Sequence, residues 1–101
     1  DNNGFCAMGK TKDILDVDPH HLFYDWRILE VDGHNYFEIE VALSDAFFSE
    51  ERPTLIIANT VKGSGGQTAC NVFENKLEWH YRYVDEETYK IAIELLSQEK
   101  M

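Results

Sequence analysis

The apolar positions of this chain fall in short runs separated by charged and turn-forming residues. Ile28-Leu29-Glu30-Val31, closed by Asp32-Gly33, has the composition of a short strand. Asn35 then stands where an N-cap belongs, ahead of a predicted helix from Tyr36 to about Phe48. Its apolar residues Phe37, Val41, Ala42 and Phe48 recur at mixed three- and four-residue steps, as an amphipathic helix requires. Pro53 opens a second strand, Thr54 to Ala58, apolar throughout in the manner of a strand buried on both faces of a parallel sheet. Residues 62–71 contain three glycines and predict a loop. Asp85 is positioned to cap a last helix over 86–98, where Glu86 and Glu87 suit the positive end of the helix dipole. Tyr89, Ile93 and Leu96, with Ala92 beside them, form its apolar stripe. Residues 12–26 read as a broken helix: Pro19 stops a first run through Ile14, Leu15 and Val17, and another turn follows through Leu22, Phe23 and Trp26.

The order strand, helix, strand, helix predicts an α/β fold with right-handed crossovers and helices packed on a mainly parallel sheet. Two strands make too small a sheet to stand alone, and the chain begins Asp1-Asn2-Asn3 rather than with Met. The expectation is therefore one partial domain over residues 1–101, whose upstream portion lies outside this sequence. A chain of 101 residues can bury one core, and a hydrophobic content of 44% excludes a disordered polymer.

Charge narrows the partners. Lys and Arg number 9 against 19 Asp and Glu, a net charge of −10, which argues against nucleic-acid binding. Cys6 and Cys70 sit in no metal or redox spacing, so the expected location is cytoplasmic. No apolar run approaches the ~20 residues needed to cross a bilayer, so no membrane partner is expected.

One short stretch, Gly4-Phe5-Cys6-Ala7-Met8-Gly9-Lys10-Thr11, matches the phosphate-loop pattern G-x-x-x-x-G-K-[ST]. That loop must follow a buried strand and open a long helix whose N-terminal amides face the phosphates. Here only Asp1-Asn2-Asn3 precede it, Pro19 limits any following helix, and the residues inside the pattern are mostly bulky. The context predicts that the match does not bind a nucleoside triphosphate.

A different family accounts for more of the chain. The ordered blocks DNNGFCAMGKT, LEVDGHN, PTLIIANTVKG and FENKLEWHYR resemble the transketolase family, in the second half of its N-terminal, thiamine-diphosphate-binding domain. In that family a split motif holds the diphosphate through a magnesium ion. It opens with Gly-Asp-Gly and ends in an Asn-containing turn, which DNNGF matches. The resemblance implies thiamine diphosphate and Mg2+ as cofactors, with the side chain of Asn3 and the backbone carbonyl of Phe5 as metal ligands. An amide oxygen and a nearby carbonyl are the hard donors that magnesium prefers. An Asn turn without any ligand is the plainer alternative.

The same resemblance places Lys62 of VKGSG in the cofactor region and His80 of EWHYR beside the diphosphate, handling protons of the bound sugar. An imidazole suits that duty. A surface lysine is the plainer reading of Lys62. His20 and His21, after a proline, read as solvated surface, His34 as part of the helix entry, and Trp79 as core. The stretch GQTACN departs from the family pattern and loosens the match at Lys62. The implied parent enzyme transfers a two-carbon ketol unit between sugar phosphates, as in pentose phosphate metabolism. Its implied partners are the upstream segment and a pyrimidine-binding domain or subunit, in a dimer or heterotetramer. The isolated chain is expected to be inactive. A deoxyxylulose-phosphate synthase, a dehydrogenase of the same cofactor class, or a non-catalytic remnant or interaction module are the alternatives.

Overall fold

A computed structural model describes residues 1–6, 8–64 and 72–98. In chain order its elements are β1 (Phe5–Cys6), β2 (Gly9–Lys10), α1 (Thr11–Ile14), α2 (Pro19–Leu22), β3 (Arg27–Asp32), α3 (Tyr36–Phe48), β4 (Thr54–Asn59), a 3-10 turn (Leu77–His80) and α4 (Glu86–Gln98). They form two compact units. The first comprises Asp1–Asn3 with Leu15–Thr60, and the second Gly4–Ile14 with Val61–Met101.

The first unit is built on a parallel ladder. β3 and β4 pair in register from Arg27 opposite Thr54 to Asp32 opposite Asn59, and the Arg27 amide donates to the Pro53 carbonyl at 2.9 Å where the ladder begins. Parallel neighbours need a crossover, which α3 supplies by packing on both strands. The turn into α3 follows from three polar residues. The Asp32 carboxylate accepts from the His34 amide at 2.9 Å, the Asn35 side chain caps the helix by accepting from the Glu38 amide at 3.2 Å, and the Glu38 carboxylate accepts from the Asp32 amide at 2.7 Å. Gly33 is required here: a β-carbon would meet the Thr60 methyl group at 2.3 Å.

On the other edge of β4 lies the start of the chain. Asn2 bridges Asn59 in a parallel sense, its amide donating to the Ala58 carbonyl at 2.8 Å and its carbonyl accepting from the Thr60 amide at 3.3 Å. Before β3, Asp18 caps α2 through the His20 amide at 2.9 Å, with Pro19 at the first helical position. That backbone hydrogen bond, then the His20 side chain, hold the Asp18 carboxyl below its ordinary range.

Two burial expectations are corrected. β4 was expected to be buried on both faces, yet only Ile57 is buried and the rest of the strand is half-buried. α3 was expected to bury Phe37, Val41, Ala42 and Phe48. Of these only Ala42 is buried, while Phe37 and Phe48 are 72% and 78% exposed. Small Ala42 is the buried residue of the helix, while Phe37 and Val41, though exposed, line a groove with Leu29 and Val31 of β3. An exposed stripe of this size is unusual for a surface helix.

The second unit contains an antiparallel hairpin, with Phe5 opposite Lys10 and Cys6 opposite Gly9, then α1 and, after residue 61, a set of turns. Its long helix, α4, begins where expected: the Asp85 carboxylate accepts from the Thr88 amide at 2.8 Å and from its hydroxyl at 3.0 Å. These bonds, the backbone one foremost, lower the Asp85 pKa. The stabilisation is therefore present above the ordinary carboxylate range and is lost as pH falls through the lowered value. Ala92 is the buried residue of α4.

Asn35→Ala removes the α3 cap and should destabilise the first unit by about 1 kcal/mol, read as a lower denaturant midpoint with an unchanged slope. A midpoint equal to the parent's would show that the cap contributes nothing.

Candidate functional site

Geometry disposes first of the phosphate-loop match. Gly4 to Thr11 form a hairpin closed by a 2.9 Å bond from the Thr11 amide to the Gly4 carbonyl, with Gly4 and Gly9 at φ of 81° and 144°. Lys10 lies exposed in β2, and α1 has four residues. A strand, an amide-lined loop and a long helix are not what the described residues form here; Ala7 lies outside them.

Asn3 sits at the end of the segment paired with β4. Its side-chain amide donates to Asp1 Oδ2 at 3.4 Å, while Asp1 Oδ1 accepts from the Thr60 hydroxyl. The Asn3 side chain also carries an amide oxygen, a hard donor of the class magnesium takes. Phe5, whose carbonyl is the second expected donor, follows two residues later in β1. In kind, these donors suit a magnesium ion held mainly by oxygen ligands from elsewhere. Among the described residues no group of three or more His, Cys, Asp or Glu side chains could hold a metal, so no closed cage of the zinc type competes.

In the second unit, Lys62 and His80 come together. Lys62 Nζ lies 3.4 Å from His80 Nδ1. An ammonium can only donate, so the contact is a hydrogen bond when Nδ1 of a neutral ring accepts. Turn geometry sets this pairing across 18 residues of sequence. Gly63 adopts φ 74°, and a β-carbon there would meet the Phe73 carbonyl oxygen at 2.3 Å. The Asn75 amide donates to the Lys62 carbonyl at 2.9 Å, and Asn75 itself takes a left-handed φ of 52°, which Asn tolerates better than most residues.

Trp79 fixes the turn that carries His80. Its indole donates to the Val72 carbonyl at 3.0 Å, and its ring packs edge-on against Phe73 with centroids 5.0 Å apart. The Arg82 guanidinium lies 5.7 Å from the ring centroid and donates to the Glu78 carboxylate at 2.6 Å. The hairpin strand β1, with Phe5, also contacts this 3-10 turn. Trp79 is half-buried rather than part of the buried core, and His80, the next residue, is exposed.

The second unit thus gathers Phe5, Lys62 and His80, whereas Asn3 belongs to the first. The divergent GQTACN stretch, the larger part of the loop expected over 62–71, lies outside the described residues. His34 is exposed in the turn before α3, and His21 is exposed on α2. His20 is exposed, as its surface reading expected, and is also engaged, with Nδ1 3.0 Å from Asp18 and Nε2 3.7 Å from Glu30. Asn59, Glu30 and Asn75 were not singled out from sequence.

A family model described as transketolase, thiamine diphosphate binding domain, matches residues 1–87. Among curated proteins the chain is 31% identical over 102 residues to a 6-deoxy-6-sulfo-D-fructose transketolase subunit of Clostridium sp. (strain MSTE9), covering 98% of this chain and 36% of that one. It is 37% identical over 99 residues to a transketolase of Buchnera aphidicola subsp. Baizongia pistaciae, covering 80% of this chain and 15% of the relative. With an apulose-4-phosphate transketolase subunit of Actinobacillus succinogenes it shares 30% identity, over 98% of this chain and 35% of the relative. The chain thus spans about a third of the subunit-type relatives and a smaller part of the longer one.

Gly63→Ala should destabilise the second unit by more than about 1 kcal/mol, because the position combines a left-handed φ with close backbone contact. Fluorescence of Trp79 in a Trp26→Phe background reports it. Unfolding at the parental denaturant concentration would contradict the turn geometry.

Proposed function

The chain belongs to the transketolase family, in its thiamine-diphosphate-binding domain, and from that premise we propose that it forms part of an enzyme transferring a two-carbon ketol unit between sugar phosphates. The observation that carries this reading is the Lys62–His80 contact, 3.4 Å between side chains that the family pattern names independently. Thiamine diphosphate, held through Mg2+, supplies the electron sink for breaking and making the carbon–carbon bond.

The roles of this chain's own residues follow from their chemistry. Asn3 offers a side-chain oxygen and Phe5 a backbone carbonyl to the metal. Lys62 contributes positive charge toward the diphosphate and, by donating to Nδ1, keeps the proton of neutral His80 on Nε2. If Nε2 gives its proton to a sugar oxygen, the Lys62 ammonium passes one to Nδ1 so that the ring stays neutral, and the reverse relay lets Nε2 accept a proton from a hydroxyl. The pyrimidine-binding surface belongs, in this reading, to another domain or subunit. The relatives that this chain covers to about a third are named as subunits, which favours an assembly of separate chains over the synthase, dehydrogenase or remnant alternatives.

Asn3→Ala and His80→Ala should fail differently in the complete enzyme. Asn3→Ala removes one oxygen from an ion that tolerates little distortion, so cofactor binding weakens and excess Mg2+ and thiamine diphosphate restore part of the activity. His80→Ala should lower turnover by roughly 10²–10⁴-fold with cofactor binding largely intact, and no excess of cofactor restores it. Steady-state ketol transfer at rising cofactor concentration separates the two. Full rescue of His80→Ala by cofactor would overturn its assignment.

A further inference from the structure

A chain of side-chain hydrogen bonds runs across one face of the first unit's sheet and ends at the segment carrying Asn3. Asn59 stands opposite Asp32 in the parallel register, so Glu30, two residues earlier on β3, is its diagonal neighbour on the same face. Asn59 Nδ2 donates to Glu30 Oε1 at 3.0 Å. Across the other edge, Asn2 Nδ2 donates to Asn59 Oδ1 at 2.8 Å.

We propose that Asn59 and Glu30 are positioning residues, which set the register and side-chain orientation of Asp1–Asn3 so that Asn3 can serve its ligand. The inference rests on the proposed role of Asn3 as a magnesium ligand.

The physical argument is one of direction. An amide can present either its NH2 or its oxygen, and two facing amides alone do not choose. A carboxylate only accepts. Glu30 therefore draws the NH2 of Asn59 to itself, which turns the oxygen of Asn59 toward Asn2. Asn2 in turn must donate. The order of polarity thus propagates from β3 through β4 to the segment beside it.

Asn2 is consequently pinned by three bonds, the side-chain one and the two backbone bonds to Ala58 and Thr60. The second tether runs from the Thr60 hydroxyl to Asp1 and from Asp1 to the amide of Asn3. The far oxygen of Glu30 faces His20 Nε2 at 3.7 Å, and His20 Nδ1 reaches Asp18, the cap of α2, at 3.0 Å. Glu30 is thereby held from both sides. Partners of this kind, one step removed from a ligand, govern how well the ligand is oriented.

The test uses the complete polypeptide that contains this chain, with Asn59→Leu, Glu30→Gln and, as a reference, Asn3→Ala. Leucine suits a strand and leaves the backbone bonds of Asn2 in place, so circular dichroism should match the parent. Two readouts are taken: half-saturation by Mg2+ in the presence of thiamine diphosphate, by calorimetry, and amide hydrogen exchange of the peptide containing Asn2 and Asn3 without cofactor. Asn59→Leu should raise the Mg2+ half-saturation by about tenfold and speed exchange of that peptide. Glu30→Gln, which can face Asn59 with either end, should shift both in the same direction by less. Parental exchange in Asn59→Leu would overturn the proposal, whatever the metal titration shows. So would a parental Mg2+ titration of Asn59→Leu alongside a weakened Asn3→Ala. If instead Asn3→Ala titrates as the parent, the ligand role of Asn3 fails, and the positioning proposal toward the metal falls with it.

Discussion

The parallel pairing of β3 with β4 is the constraint on which the first unit depends. Its in-register ladder obliges the chain to cross over through α3, places Gly33 against Thr60, and leaves the far edge of β4 available to Asn2. Every statement about how Asn3 is held passes through that edge. The segment is tied to that edge by a single bridge, Asn2 to Asn59.

The second unit solves a different problem, bringing together two side chains 18 residues apart. It does so without a long element. A glycine and an asparagine in left-handed conformations turn the chain, a bond from Asn75 to the Lys62 carbonyl closes the turn, and Trp79 anchors the helical turn that ends in His80. The individual bonds are modest, net about 1 kcal/mol each. Their value lies in fixing a distance.

Much of this was legible in the sequence, and the reasons are local. Asn35 and Asp85 announced their helices because a short polar side chain before an apolar periodic run has few other uses. β3 and β4 were legible from apolar runs bounded by Asp-Gly and Pro. The hairpin over Phe5–Lys10 was not, since its two-residue strands carry too little pattern and the phosphate-loop match drew attention to the wrong geometry. Burial on α3 was misjudged because periodicity identifies an apolar face without saying what covers it; Ala42 is buried, and Phe37, Phe47 and Phe48 are left exposed. Among the candidate site residues, Lys62 and His80 came from ordered resemblance. Asn59 and Glu30 could not, because their bond exists only once the register of two strands is known. No helix among the described residues is long and apolar enough to cross a membrane.

The central claim is that Asn3, held beside β4, is a magnesium ligand in a thiamine-diphosphate site. The direct measurement is an anomalous-scattering crystal structure of the complete enzyme with thiamine diphosphate and Mn2+ replacing Mg2+. The account predicts an anomalous peak at metal–oxygen bonding distance from the Asn3 side-chain oxygen, with Asn2 still bonded to Asn59. A cofactor-bound metal coordinated elsewhere, with Asn3 remote from it, would contradict the account.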